Sequence, residues 1–289
     1  MRLESETAMT EEASSTYRVR QIRASTGWLG DLSYAIAEFF RYRELVSYLI
    51  TTELRVRYRG SILGFLWTLM NPLLQALVMW AVFSRFGKIE EKNYALFLLS
   101  GIMVWTFFSQ SIAQSLNSII KNRQLIQKIY VPKLVFPIAT VTSNLVNLFF
   151  FLVAYLGIAL ATPVGWSWTI LLIVPVSLVI FAMTAGSALF LASLNVFFRD
   201  FTHLTEVLLR VLFYLTPIIY PPTLFGPDIA ELLKLNPVAS PVLLAREVLY
   251  YHQMPSPELW LQSIGMSLVV FFGGLFVFTR TQEKFVYYA

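Results

Sequence analysis

Between Leu134 and Phe198 the chain carries no charged side chain, a run of 65 residues. An α-helix rises about 1.5 Å per residue, so roughly 20 apolar residues cross the hydrocarbon core of a bilayer. A run this long is too much for one crossing and suits two. The turn between them belongs at Ala161-Thr-Pro-Val-Gly-Trp-Ser-Trp168, where Pro and Gly break helices and Trp favours the membrane interface. Shorter charge-free runs cover Ser61–Ser84, which is 24 residues, and Tyr94–Ile120. Two further apolar stretches begin near Leu204 and Leu259. The pattern predicts an all-α polytopic membrane protein with six transmembrane helices, at about 61–86, 94–117, 134–160, 168–195, 204–221 and 259–279. Composition agrees: 57% of residues are hydrophobic and 13% charged, against about 25% charged in soluble domains.

Charge orders the rest. Arg55, Arg57 and Arg59 stand immediately before the first span, and positive charge beside a span favours the cytoplasmic side. With six spans, 17 of the 22 Lys and Arg fall on the side that holds both ends. The net charge of +5 therefore reflects orientation rather than a nucleic-acid partner. Residues 1–30 read as a disordered polar tail, and 1–26 lack the apolar core of a cleavable signal. Over 31–60, Leu32, Ile36, Phe39, Val46, Ile50 and Leu54 recur at helical spacing among charged residues. That predicts an N-terminal amphipathic interfacial helix, lying on the cytoplasmic membrane surface or packed on the protein itself. Asn71-Pro72 should bend the first span, since Pro removes a backbone donor. Gly60 and Gly64 have the spacing that permits close helix contact, or arise by chance. Residues 222–257 hold apolar pieces too brief to cross and read as short re-entrant helices in the outer leaflet.

Several chemistries are excluded. The chain has no cysteine, and no Gly-rich phosphate loop ending in Lys-Ser or Lys-Thr. Asp occurs only at 31, 200 and 228, and His only at 203 and 252. A membrane glycosyltransferase or acyltransferase would need a carboxylate or His cluster at the interface, and none is found. Ion-coupled carriers use ionisable groups inside their spans, whereas here only Glu206 and Arg210 lie within one, near its end. What the spans do hold is Asn71, Gln75, Gln110, Gln114, Asn144, Asn147 and Thr216, together with many aromatics. Amides at membrane depth need partners or water, so they either glue helices together or line a polar path.

Several motifs then carry a likeness: Leu54-Arg-Val-Arg-Tyr-Arg-Gly-Ser-Ile-Leu-Gly-Phe-Leu-Trp67 with Asn71-Pro72, Leu98-Leu-Ser-Gly-Ile102, Leu194-Asn-Val-Phe-Phe-Arg-Asp200, Thr216-Pro-Ile-Ile-Tyr220 and Leu235-Asn-Pro237. In this order, over about residues 38–285, they resemble the permease subunit of polysaccharide ATP-binding-cassette exporters. The resemblance implies a homodimer of six-span subunits in the bacterial inner membrane, bound to two cytoplasmic ATPases. Those partners would hold ATP and Mg, with no cofactor in this chain. It implies export of a lipid-linked polysaccharide, O antigen first, with teichoic acid, capsule polysaccharide or another amphiphile as alternatives. The family's coupling helix would fall on Ser118–Tyr130, within a coupling segment 118–133. Its expected ATPase contacts are Ile119, Lys121, Arg123, Leu125, Lys128 and Tyr130. A translocation path would draw on Trp67, Asn71, Gln75, Trp80, Trp105, Phe107, Phe108, Gln110, Phe213 and Tyr214. The cytoplasmic interface would include Arg55, Arg57, Arg59, Arg199 and Asp200.

Overall fold

The computed structural model describes residues 41–61, 63–64, 66–86, 91, 93–128, 131–162, 167–225, 233 and 235–285. The predicted tail 1–30, the first part of the interfacial helix, Tyr130 and residues 226–232 lie outside that set. Among the described residues all regular structure is helical. Helix α1 is Arg43–Tyr58, α2 Leu66–Phe86 and α3 Tyr94–Ser115. Two short helices follow, α4 Ser118–Lys121 and α5 Arg123–Lys128. Then come α6 Val135–Leu160, α7 Ile173–Phe197 after a 3-10 turn at Trp168–Leu172, and α8 Phe201–Leu215. Last are α9 Ala239–Leu249 and α10 Pro257–Thr281.

Five stretches are long and apolar enough to cross a membrane: Leu66–Phe83, Tyr94–Ser115, Val135–Leu160, Trp168–Phe197 and Pro257–Lys284. They fall on five of the six expected spans. At the remaining position, 204–221, α8 has only 15 residues, about 22 Å of rise against roughly 30 Å of hydrocarbon. The helix stops because Pro217 follows: the residue before a proline is pushed out of the helical region, and Thr216 sits at φ −95°, ψ 135°. Residues 216–219 continue as buried, non-helical chain.

The first span begins at Leu66 rather than Ser61. Gly60 and Gly64 have φ of +77° and +47°, and no atom lies closer than 4.0 Å to where a Cβ would stand on either. They are turn glycines between α1 and α2, so the helix-packing reading of their spacing is replaced by a backbone one. Helix α2 continues through Pro72.

Helix α3 is the axis of the assembly, with α2, α6, α7, α8 and α9 against it. The broadest pairing is α7 with α10. Gly186 and Gly274 meet there: a Cβ on Gly274 would stand 2.0 Å from the Gly186 carbonyl oxygen. Small residues let two helix backbones approach this closely. Ser256 caps α10 by accepting from the Leu259 N–H, with Pro257 in the first turn.

Candidate functional site

Polar groups in an apolar bundle are where sequence and packing conflict, and they gather in three places. The first joins α1 to α3 and α6. The Glu53 carboxylate accepts from Thr140 Oγ1 at 2.6 Å and Ser143 Oγ at 2.8 Å. One turn on, Arg57 donates to Asn144 Oδ1 at 3.0 Å and Gln114 Oε1 at 2.5 Å. Asn144 Nδ2 also donates to Gln114 Oε1, and Asn147 Nδ2 to Asn144 Oδ1, each at 3.1 Å. Glu53 and Arg57 lie four residues apart on one helix face. Both point inward, so α1 is latched to the spans through charge-assisted bonds. Arg55 and Arg59 are exposed. Gln114, Asn144 and Asn147 are thus helix glue, one of the two roles open to them from sequence.

The second place is the connection from α3 to α6. Ile119 is fully buried in the chain's own core, so among the described residues of this segment it is packing, not surface. Lys121, Arg123 and Lys128 are exposed, and Leu125 and Ile126 half-buried. At the same end, Asn195 Nδ2 donates to the Leu116 carbonyl at 2.9 Å and Asn117 Oδ1 at 3.3 Å, while its Oδ1 accepts from Thr202 Oγ1 at 2.9 Å. Asn195 therefore ties the ends of α3 and α7 to the start of α8. Arg199 and Asp200 are exposed on that turn.

The third place was not foreseen. Arg246 on α9 is 1% exposed. Its guanidinium lies over the Phe97 ring at 3.7 Å, and Nη2 donates to the Ile218 carbonyl at 2.9 Å. Nε and Nη1 meet no acceptor among the described residues. Glu91 accepts from the hydroxyls of Tyr250 at 3.0 Å and Tyr251 at 2.9 Å. Burial lowers Arg246 to about 10, against the supporting charge of Glu91 and the nearby tyrosine hydroxyls; it stays a cation at neutral pH. A Cβ on Gly101 would stand 3.0 Å from Nη2, so this glycine makes room for the cation. Arg246 and the Tyr94 hydroxyl, which donates to the Ile219 carbonyl at 2.8 Å, satisfy the non-helical chain after α8. Asn236 Nδ2 serves Leu215 O at 3.2 Å and Thr216 Oγ1 at 2.9 Å. Irregular backbone at membrane depth is tolerated where it is buried in protein or lines a water-filled cavity, and here it is buried and bonded. In α9 itself, the Val248 and Leu249 carbonyls accept from Thr169 and Tyr155. The only sequence signal was a lone Arg in an apolar piece.

The ten expected path residues do not share one surface. Trp105, Phe107, Phe108 and Phe213 are buried, and Trp105 stacks edge-on against Phe213 at 5.5 Å, joining α3 to α8. Gln110 lines a small recess with Thr68, Pro72 and Asn147. Trp67, Asn71 and Gln75 recur every four residues along one stripe of α2 and are all exposed. Trp80, on another face of α2, and Tyr214 on α8 are exposed as well. Only 11% of the α2 span is buried, against 78% of α3. Helix α8 carries His203, Glu206, Arg210 and Tyr214 on an exposed face.

Residues 44–250 match the family described as ABC-2 type transporter. The chain is 32% identical over 252 residues to an O-antigen export system permease protein, RfbA, of Myxococcus xanthus, covering 86% of this chain and 97% of that one. To the protein of the same name in Klebsiella pneumoniae it is 33% identical over 211 residues, 71% of this chain and 80% of that one. It is also 25% identical over 259 residues to the polysialic acid transport protein KpsM of Escherichia coli, covering 83% and 93%.

Proposed function

The chain belongs to the ABC-2 type transporter family, and on that footing we propose that it is the membrane subunit of an ATP-driven exporter moving lipid-linked polysaccharide, O antigen first, out of the cytoplasm. The observation that carries this reading is the exposed stripe of α2. Asn71 and Gln75 stand uncovered on a largely apolar span. An amide facing hydrocarbon without a partner costs several kcal/mol, on the order of 4. The stripe is therefore covered by protein and water, not lipid: a second copy of the chain faces it, with a polar path between. Sugars present hydroxyl edges and apolar C–H faces, which amides and Trp67 serve without gripping any one repeat. The polar face of α8, with Tyr214, lines the same path, and residues 216–219 complete α8 as the sixth crossing. Both termini then lie in the cytoplasm, as the Lys and Arg distribution favours.

Work enters from two partner ATPases that hold ATP and Mg. They meet Lys121, Arg123, Leu125 and Lys128, with Arg199 and the exposed Arg55 and Arg59 nearby, where charge steers and registers contact. The likeness to a polysialic acid transport protein favours a polysialic-acid-like polymer as the second reading, at lower identity. The test is Asn71→Leu with Gln75→Leu in a strain whose surface polysaccharide depends on this chain. Export is expected to fall at least tenfold while the protein level in the membrane is unchanged. Wild-type export from that variant would overturn the path assignment.

A further inference from the structure

A second feature lies on the opposite side of α8 from its polar face. Thr205, Leu208, Leu209 and Leu212 form one wall of an open-sided groove of about 470 Å³, and Val270 and Gly273 of α10 form another. Phe108 and Ser187 close its floor. The lining is apolar except for two hydroxyls. Ser187 is already bonded to the Met183 carbonyl at 3.0 Å. Thr205 Oγ1 is not: its residue is 3% exposed, and the hydroxyl has no partner among the described residues. A buried hydroxyl left unbonded costs about 1–3 kcal/mol, so its place on an apolar groove points to an acceptor arriving from outside.

We propose that this groove is a binding site for one acyl chain of an anionic glycerophospholipid, with the chain's ester carbonyl accepting from Thr205 Oγ1. The proposal is independent of what the protein exports; it rests on α7 and α10 crossing the bilayer and on the proposed place of α8 as the sixth crossing. Three observations converge on it. The groove runs beside candidate spans and is of the order of a single hydrocarbon chain in size. Thr205 lies one turn inside the start of α8, about 6 Å from that end, the depth at which an ester group follows its headgroup. Arg280 is exposed seven residues beyond Gly273 on the same face of α10. Just past the end of α10, Phe285 packs on Phe197 at the end of α7 at 5.9 Å, four residues before α8 begins. Arg280, whose guanidinium lies over the Phe276 ring at 5.5 Å, and Arg199 are both exposed on the segments that flank this end of the groove, as are the acids Asp200 and Glu283, and a phosphate there would draw on the two cations. Basic pockets between transmembrane helices bind anionic headgroups. A polyprenyl phosphate would supply the charge but no ester carbonyl, so the unbonded Thr205 favours the ester lipid.

The test titrates phosphatidylglycerol into the purified, detergent-solubilised full chain and counts bound lipid by native mass spectrometry. Gly273 has no atom within 4 Å of a built Cβ, so the backbone there accepts a side chain, and Gly273→Leu, which fills the groove, should weaken binding more than tenfold. Thr205→Val should weaken it roughly 5-fold, the value of one hydrogen bond. Ether-linked phosphatidylglycerol should bind wild type as weakly as the ester lipid binds Thr205→Val, with no further loss on the variant. Arg280→Gln together with Arg199→Gln should abolish the preference for phosphatidylglycerol over phosphatidylcholine, and an undiminished preference in that variant overturns the headgroup contact. Equal binding to wild type and Gly273→Leu overturns the site. Equal affinity of wild type for ester and ether lipids overturns the role of Thr205. Stronger binding of polyprenyl phosphate than of phosphatidylglycerol overturns the choice of lipid.

Discussion

The latch between α1 and the spans is the most direct quantity to measure. Arg57→Met removes two charge-assisted hydrogen bonds, to Asn144 and Gln114, while keeping an unbranched apolar stem. Such bonds contribute about 1.5–3 kcal/mol each when buried. Two facts lower the sum here. Arg57 is half-exposed, and Asn144 and Gln114 still bond each other at 3.1 Å after the change. A loss of about 2–3 kcal/mol in total is expected. Asn144→Ala breaks the same network from the other side. The two residues touch, so their effects should not add, and a coupling energy of about 1.5 kcal/mol is expected. Equilibrium unfolding of wild type, both single variants and the double variant in one detergent closes the cycle. Protease accessibility of the segment around 43–58 should rise in the Arg57 variant, because of the two inward-pointing charges only Glu53 then stays bonded to the spans. Additivity within about 0.5 kcal/mol, or unchanged protection of α1, would refute the latch.

Two further outcomes follow from the packing. Gly274→Ala drives a Cβ to 2.0 Å from the Gly186 carbonyl oxygen, where backbone cannot yield, and should destabilise by about 3 kcal/mol or more; Gly273→Ala next to it meets nothing and should gain up to ~1 kcal/mol of helix propensity, so equal melting shifts would contradict the α7–α10 crossing. Leu125→Asp places an unpaired carboxylate at the proposed ATPase contact and should cost several, about 3–5, kcal/mol of association; co-purification of the ATPase and substrate-linked hydrolysis at wild-type levels would remove Leu125 from that interface.

Where sequence reading fell short, one physical cause recurs: it sees which residues are apolar but not which neighbour they meet. Ile119 looked like surface for a partner, because a basic, partly apolar loop suggests one. The fold instead turns this residue of α4 into the core. Arg57 was read with Arg55 and Arg59 as interface charge; which of three alternating arginines points inward depends on amides 57 and 87 residues away. Trp105, Phe107 and Phe108 are as aromatic as Trp67, yet they belong to the most enclosed of the five candidate spans. The motif residues Gly101, Asn195 and Asn236 carried the family likeness without a visible reason. Each proves to be structural: room for Arg246, a tie between α3, α7 and α8, and a cap on the end of α8.

By itself the sequence determined that the chain is a membrane protein, where five candidate spans lie, and which family its ordered motifs indicate. Those properties follow from local quantities: helix rise, bilayer thickness, and the solvation cost of charge and of unbonded backbone. Only the tertiary structure decided what the polar minority does. It sent Glu53 and Arg57 inward as a latch, buried Arg246 against Phe97 and the broken chain after α8, and left Asn71 and Gln75 without cover. In an apolar bundle, van der Waals contact and hydrogen bonding between distant helices choose the partners of each polar group, and neither is written in the periodicity of a single helix.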